Sequence, residues 1–179
     1  MTQWSWRVSP SVFRLIVVLS LWPAVVVGAQ PRHDWTGVVT HVVDGDTVWV
    51  RAMDGSKPVN VRLEGLDAPE ICQPGGVAAR KALQRRVQGR QVLVRGVRQD
   101  DYQRLLARIE LEGEDVGAGL VLAGHAWSYH RRGNPGPYAA EQRKARAERA
   151  GLFAIRHPPP VYPGRFRREH GSCYTPQKR

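Results

Sequence analysis

Two short acidic segments contain the side chains of this sequence that are best suited to chemistry. They are DGDT at residues 44–47 and DAPE at residues 67–70. Carboxylates and backbone carbonyls are the ligands that a hard cation such as Ca²⁺ takes in proteins. Taken singly, the first segment is better explained as a tight turn, because Asp-Gly is a common hairpin turn, and the second could be only a loop. Taken together, the segments make Asp46 and Asp67 candidate ligands of one divalent cation.

Two arginines accompany the acidic segments. Arg62 lies shortly before Asp67, and Arg104 ends the segment DDYQR. Guanidinium groups and a dication can stabilise the negative charge that develops on a phosphodiester during its cleavage. A carboxylate such as Glu70 can activate or orient the attacking water. Each arginine alone could equally be a solvated charge on a strand, but the combination favours phosphodiester hydrolysis.

The elements that must position these residues form a β-rich pattern. Stretches rich in Val, Ile and Leu predict five strands at residues 36–43, 47–52, 58–65, 91–97 and 105–111. Apolar spacing, caps and glycine stops predict three helices at residues 75–88, 116–123 and 138–150. Five short antiparallel strands, with a helix between the third and the fourth, predict an α+β fold built on a five-stranded OB barrel. Such barrels commonly bind oligonucleotides or oligosaccharides.

The three chemical segments, in this order, resemble the staphylococcal-nuclease-like, or thermonuclease, family. The signature of that family is an Asp-Gly-Asp-Thr turn, then Arg, four residues and Asp-x-Pro-Glu, and finally Tyr-x-Arg. The sequences GHAW at residues 124–127 and GLF at residues 151–153 are similar to its later landmarks. The resemblance covers roughly residues 36–155, the size of one domain.

The resemblance implies a role for each residue of a catalytic site. It implies that Ca²⁺ is held by Asp46, Asp67 and the backbone carbonyl of Ala68. It further implies that three side chains face the scissile phosphate, namely Arg62, Glu70 and Arg104. The implied reaction breaks the P–O5′ bond of DNA or RNA with little base specificity and leaves a 3′-phosphate.

The resemblance also implies contacts between the substrate and aromatic or basic side chains. The candidates for substrate binding are Tyr102, Tyr129, His130 and Arg132, and the last three follow the second helix where the family carries aromatics that stack on a nucleotide. For these three, a simple basic loop is an equally good interpretation. Two positions depart from the family pattern, because Asp101 replaces a residue that is usually basic and Gln103 replaces one that is usually glycine.

The first 29 residues have the pattern of an export signal. Arg7 and Arg14 precede an apolar run at residues 15–27, and Ala29 ends a set of small residues suited to signal-peptidase cleavage. An uncleaved membrane anchor is the alternative, but the run is shorter than the roughly 20 residues of a spanning helix and contains Pro23. We therefore expect export, with the mature protein in the periplasm or secreted.

Charge and cysteine content are consistent with an exported protein that meets polyanions. The chain has 27 basic and 16 acidic residues, and removing residues 1–29 takes away two basic residues and no acidic one, so the formal charge falls from +11 to +9. A positive charge of this size favours nucleic acid, anionic lipid or acidic polysaccharide as a partner. In an oxidising compartment, Cys72 and Cys173 are expected to form a disulfide.

The sequence predicts three regions: a signal peptide at residues 1–29, a nuclease-like OB domain at residues 30–155, and an extended basic tail rich in Pro and Arg at residues 156–179. The leading hypothesis is an exported, monomeric, calcium-dependent nuclease. The alternative is a noncatalytic OB module that binds nucleic acid or an anionic envelope polymer. A binder of anions has no evident need for several acids at its site, which favours the enzyme. Acids that serve only turns and salt bridges are the third interpretation.

Overall fold

The structure is a computed structural model that describes residues 1–2, 34–130, 133–154, 157–171 and 173. The chain divides into a unit of residues 1–30 and a unit of residues 31–179, and the elements below belong to the second. Apart from residues 1–2, the predicted signal peptide lies outside the described residues. No helix among the described residues is long and apolar enough to cross a membrane.

Among the described residues, eight strands, four α-helices and one 3-10 helix form the second unit. The strands are β1 (Asp34–Val42), β2 (Thr47–Ala52), β3 (Val59–Leu63), β4 (Leu66–Asp67), β5 (Gln91–Gln99), β6 (Leu105–Leu111), β7 (Glu114–Asp115) and β8 (Trp127–Ser128). The helices are α1 (Gly76–Val87), α2 (Val116–Leu122), α3 (Ala139–Ala147) and α4 (Pro163–His170), and the 3-10 helix is Gly151–Ala154.

Five of the strands close into a barrel, which confirms the predicted fold class. Their order is β3-β2-β1-β5-β6, and β3 also pairs with β6 to complete the ring. This closing pair is parallel, with Val61 opposite Leu105 and Leu63 opposite Ala107. The expectation that all the strands are antiparallel is therefore wrong. A ring with an odd number of strands cannot alternate in direction all the way round, so one neighbouring pair must be parallel.

Alternation along the strands builds the core inside the barrel. In β2, Val48 and Val50 are buried, and in β3, Val61 and Leu63 are buried. Successive strand residues point to opposite faces, so Arg62 between the two buried residues of β3 lies on the other face. Helix α1 covers the barrel with the face that the sequence predicts, which consists of Ala79, Leu83 and Val87. Burying each large apolar side chain stabilises the fold by about 1.5–3 kcal/mol.

The C-terminal region differs most from the sequence prediction. Residues 156–179 were expected to be extended, but Pro163–His170 form α4, so the described chain has four α-helices and not three. Proline at the first helical position is pre-organised for a helix, and Arg165 pairs with Glu169 one turn later at 2.7 Å. A bond between the sulfurs of Cys72 and Cys173 ties the residues after α4 to the loop before α1.

Candidate functional site

Asp46 is fixed by the turn between β1 and β2. The Asp44 side chain accepts a hydrogen bond from the backbone N–H of Asp46 at 2.9 Å, which closes the turn locally. Gly45 permits a close approach to the loop after β4 and to α1, because a Cβ at this position would lie 2.7 Å from the Cβ atoms of Ala68 and Ala79. The turn therefore directs the Asp46 carboxylate into the protein, where it is buried.

The second acidic segment meets the first at this carboxylate. The backbone N–H of Ala68 donates to Oδ2 of Asp46 at 3.0 Å, and the hydroxyl of Thr47 donates to Oδ1 at 3.0 Å. Asp67, at the end of β4, is 0% exposed. The structure thus brings together Asp46, Asp67 and the backbone of Ala68, but the Ala68 group that contacts Asp46 is its N–H and not the carbonyl that the resemblance implies as a ligand.

Arg62 connects the two buried carboxylates. Its Nη1 donates to Oδ1 of Asp46 at 2.5 Å, and its Nη2 donates to Oδ1 of Asp67 at 2.9 Å, while its side chain is only 17% exposed. Burial by itself lowers the pKa of Arg62, but the neighbouring Asp46 and Asp67 raise it above its usual value. The guanidinium is therefore a permanent charge with a fixed orientation.

A second guanidinium, which the sequence analysis missed, reaches the same carboxylates from α4. Arg167 donates to both oxygens of Asp67, at 3.2 and 3.0 Å, and to Oε1 of Glu70 at 2.8 Å. These contacts join residues 100 and 97 positions apart in the chain. The sequence signal that could have indicated them is the combination of clustered arginines with Cys173, which brings the tail back to Cys72.

The buried acids make the site electrostatically unfavourable without positive charge. Burial, followed by the charge of Asp46, raises the pKa of Asp44 to about 7. Burial also raises the pKa of Asp67 above its usual value, and the hydrogen bond from Arg167 opposes this shift. Both pKa shifts favour the protonated form of the acids. A cation that binds between these carboxylates opposes the shifts, because it stabilises the ionised form.

Arg104 lies apart from the acidic cluster. Its Nε donates to Oδ2 of Asp100 at 2.8 Å, and its Nη2 lies 2.7 Å from the same oxygen. Its guanidinium carbon lies 5.2 Å from the centre of the Tyr102 ring. Arg104 immediately precedes β6, in which Leu106 is the register partner of Arg62. The structure therefore brings Arg104 to the strand next to Arg62 but pairs it within its own loop.

A cleft of about 590 Å³ opens beside Asp67. Its lining combines residues of β4, of the loop before β6 and of the segment after β8 with residues of the α4 segment: Asp67, Tyr102, Tyr129, His130, Tyr162, Gly164, Arg167 and Arg168. Three predicted substrate-binding residues, Tyr102, Tyr129 and His130, are thus brought to one cleft. The fourth, Arg132, lies outside the described residues. The structure adds aromatic and basic side chains from the C-terminal segment, Tyr162 and Arg168 among them.

The donor set at the mouth of the barrel suits a hard divalent cation but is small. Within the ranges that the structure describes, no group of three or more His, Cys, Asp or Glu side chains is placed to hold a metal ion. Two buried carboxylates and one carbonyl, from Asp46, Asp67 and Ala68, are nevertheless the oxygen ligands that Ca²⁺ accepts, with water completing its shell. The residues fit calcium as a partly hydrated ion.

A closed five-stranded barrel with carboxylates and guanidiniums at its mouth defines an OB-fold protein equipped to handle phosphate. Comparison with known families agrees, because the family model described as "Staphylococcal nuclease homologue" matches residues 60–154. The chain belongs to this family of staphylococcal nuclease homologues.

Individual relatives support the same assignment over more of the chain. A Haemophilus influenzae protein named "Uncharacterized endonuclease" is 32% identical over 144 residues, which are 80% of this chain and 79% of that protein. The Escherichia coli "Protein ParB" is 37% identical over 159 residues, 82% of this chain and 87% of that protein. The Arabidopsis thaliana "Staphylococcal-like nuclease CAN1" is 31% identical over 103 residues, 58% of this chain and 32% of that protein.

Proposed function

We propose that this protein is an exported, calcium-dependent nuclease that hydrolyses phosphodiester bonds of DNA and/or RNA with little base specificity. The observation that carries the proposal is the Arg62 guanidinium, which is held between the carboxylates of Asp46 and Asp67 beside an open cleft. A fixed guanidinium in a partly dry site stabilises developing phosphoryl charge without having to reorganise during the reaction.

The proposed chemistry divides the work among five residues. Asp46 and Asp67, with the Ala68 carbonyl, would hold Ca²⁺, which supplies positive charge near the phosphoryl oxygens. Glu70 is the carboxylate that activates or orients water, and this role is supported by its closeness to Asp67, because both carboxylates accept hydrogen bonds from the guanidinium of Arg167. Arg62 stabilises the transition state.

Arg104 is proposed as the second catalytic guanidinium. Support comes from its place directly before β6, next to the strand that carries Arg62. Its pairing with Asp100 and its position near the Tyr102 ring hold it at the rim of the cleft. A phosphate that enters the cleft competes with Asp100 for this guanidinium, because the oxygens of both anions accept charge-assisted hydrogen bonds from arginine.

The proposed nuclease prefers unpaired nucleic acid and shows little base specificity. Both parts of this proposal rest on the exposed aromatic side chains of the cleft. Tyr102 is 80% exposed and Tyr129 is 46% exposed. This exposure is unusual, because aromatic side chains usually bury much of their apolar area when a protein folds. Stacking on such rings is worth about 1–3 kcal/mol per base and accepts every base. The formal charge of +11 adds attraction to phosphates.

Export and a 3′-phosphate product complete the proposal. Export is supported by the apolar leader and by the disulfide between Cys72 and Cys173, because disulfides persist mainly in oxidising compartments. A protein of this kind acts as a monomer in the periplasm or after secretion. The 3′-phosphate follows from the resemblance, which implies cleavage of the P–O5′ bond.

The test is cleavage of a fluorescent single-stranded oligonucleotide by the purified protein in Ca²⁺ and in EGTA. We expect cutting only in Ca²⁺, and a fall in kcat of about 10²–10⁴ in Glu70→Gln, which cannot accept the proton of water. Glu148→Gln is the matched control, since Glu148 is exposed at the C-terminal end of α3 and, among the described residues, forms an ion pair only with Lys144. Mass spectrometry of the products identifies the end that carries the phosphate.

Cutting in EGTA, or full activity of Glu70→Gln, would contradict the proposed mechanism. Tight binding of the oligonucleotide without cleavage would instead favour the noncatalytic alternative, a module that binds nucleic acid or an anionic envelope polymer. This alternative is supported by two basic residues of α4 that line the cleft, Arg167 and Arg168.

A further inference from the structure

We propose that Arg167 is a third guanidinium of the active site and binds a substrate phosphate, presented by an α4 segment that is a permanent wall of the cleft. This inference rests on the proposed nuclease function. It assigns a role to a residue outside the region matched by the family model, which ends at residue 154.

The α4 segment is anchored to the site at both of its ends. Before the helix, the side-chain amide of Gln73 donates to the backbone carbonyl of Val161 at 2.6 Å, and Pro163 is buried. After the helix, Cys173 is bonded to Cys72. Gln73 and Cys72 both belong to the loop that follows Glu70, so each anchor fixes α4 to the backbone that carries the proposed catalytic carboxylate.

Aromatic packing holds the start of this segment against the barrel side of the cleft. The Tyr162 ring meets the Trp127 ring edge to face at 6.0 Å and lies 4.7 Å from the His130 ring. Such contacts stabilise the packing beyond the area that they bury. A segment with a covalent anchor, a hydrogen-bonded anchor and an aromatic anchor keeps its place when substrate arrives.

Arg167 presents the geometry of a phosphate ligand. Its two terminal nitrogens meet the two oxygens of Asp67 in a parallel pair of hydrogen bonds, and a phosphate accepts the same bidentate arrangement. Its side chain is 34% exposed and lines the cleft. A cation that binds Asp67 weakens the hydrogen bonds between that carboxylate and Arg167. The guanidinium of Arg167 is then available to an anion in the cleft.

The charge balance of the site explains why an additional cation is useful there. Asp46, Asp67 and Glu70 would face Arg62 alone if Arg167 were absent. A phosphate approaching these carboxylates is repelled, and the repulsion is strong in a partly buried site. Arg167 offsets this repulsion from α4, where it lines the cleft that a neighbouring phosphate of the strand can enter.

The experiment compares Arg167→Ala with Arg165→Ala in the full chain. Arg165 lies on the same helix, but it is exposed and pairs with Glu169 outside the cleft. Fluorescence anisotropy measures the binding of a labelled single-stranded oligothymidylate to each variant in Ca²⁺, with Glu70→Gln added to prevent cutting. Cleavage assays without Glu70→Gln give KM and kcat separately.

We expect Arg167→Ala to weaken oligonucleotide binding about tenfold and to reduce the slope of log K against log salt by about 0.7, the value for one phosphate contact on a single strand. We expect KM to rise by about the same factor, kcat to change less than about threefold, and Arg165→Ala to match the wild type. The double variant Cys72→Ser/Cys173→Ser, confirmed as folded by its circular dichroism spectrum, should raise KM in the same direction because α4 loses its covalent anchor.

Two results would overturn the role of Arg167. Unchanged affinity and salt slope in Arg167→Ala would show that no phosphate contacts it. Tighter Ca²⁺ binding by calorimetry, together with faster cleavage, would show that Arg167 only blocks the acidic site. A wild-type protein that does not cut in Ca²⁺ refutes the nuclease function itself, whereas a wild type that cuts and an Arg167→Ala variant that binds equally well refute only this inference.

Discussion

The two proposed catalytic arginines are held in opposite ways. Arg62 is buried between carboxylates that come from two different segments, at sequence separations of 16 and 5 residues. Arg104 is held by Asp100, only four residues away in the same loop. The position of Arg62 therefore depends on the pairing of β2 with β3, in which Thr47 lies opposite Arg62, whereas the position of Arg104 is decided within one loop. One guanidinium is preformed by the fold, and the other can adapt to a substrate.

Electrostatics separates the two regions in the same way. Burial raises the pKa of Asp67 in the Arg62 region, so ionising this acid costs stability. Burial also acts to raise the pKa of Asp100, but hydrogen bonds from Arg104 and from the backbone lower it below its usual value. The positive charges around Asp67 at the barrel mouth therefore do not fully stabilise its ionised form, whereas those around Asp100 in the loop of Arg104 do. The proposed Ca²⁺ would supply positive charge at the first region, whereas the second region has no such need.

The largest expected effect comes from Arg62→Lys, which breaks the preformed region. A lysine keeps the charge but cannot span two carboxylates with a planar fork, so we expect kcat to fall by about 10²–10³. Oligonucleotide affinity should change only a few fold because the charge remains. Stopped-time cleavage assays measure kcat, and Arg51→Lys on the exposed face of β2 is the control. A fall of less than threefold would mean that charge alone, without orientation, is sufficient at this position.

A smaller effect is expected from Asp100→Asn, which tests the local region. The asparagine oxygen can still accept the backbone N–H groups of Tyr102 and Arg104, so the loop keeps its shape. The amide nitrogen replaces the oxygen that orients the Arg104 guanidinium, and the loss of this charge-assisted hydrogen bond, worth about 1.5 kcal/mol, corresponds to about a tenfold fall in kcat/KM. Asp101→Asn in the same turn should leave kcat/KM within about twofold of the wild type. Faster cleavage by Asp100→Asn would show that Asp100 restrains Arg104 and does not position it.

The sequence predicts the preformed region better than its surroundings. The strands β2 and β6 begin and end where the apolar pattern indicates, and Arg62 meets Asp46 because the DGDT turn leads into β2, which pairs with its neighbour β3. Arg167 could not be placed in this way. Its contacts with Asp67 and Glu70 depend on the path of the chain after residue 154, and prolines and arginines in that region favoured an extended tail over α4. The amino-acid composition of this segment does not determine where in the fold the disulfide between Cys72 and Cys173 places it.

The smallest predicted effect concerns the backbone of the adaptable loop. Gln103 has a φ of 60°, in the left-handed region that is unfavourable for residues with a Cβ. Gln103→Gly removes this strain, and we expect the free energy of unfolding, measured in urea, to rise by about 0.5–1 kcal/mol even after the entropic cost of glycine. Asp101→Gly, whose φ is not positive, should instead destabilise the protein. In the turn, the Gln103 N–H donates to the Asp100 carbonyl at 2.9 Å. If the free energy of unfolding does not rise in Gln103→Gly, this hydrogen-bonded turn compensates for the backbone strain at Gln103. The loop of Arg104 would then be fixed as firmly as the barrel mouth that holds Arg62.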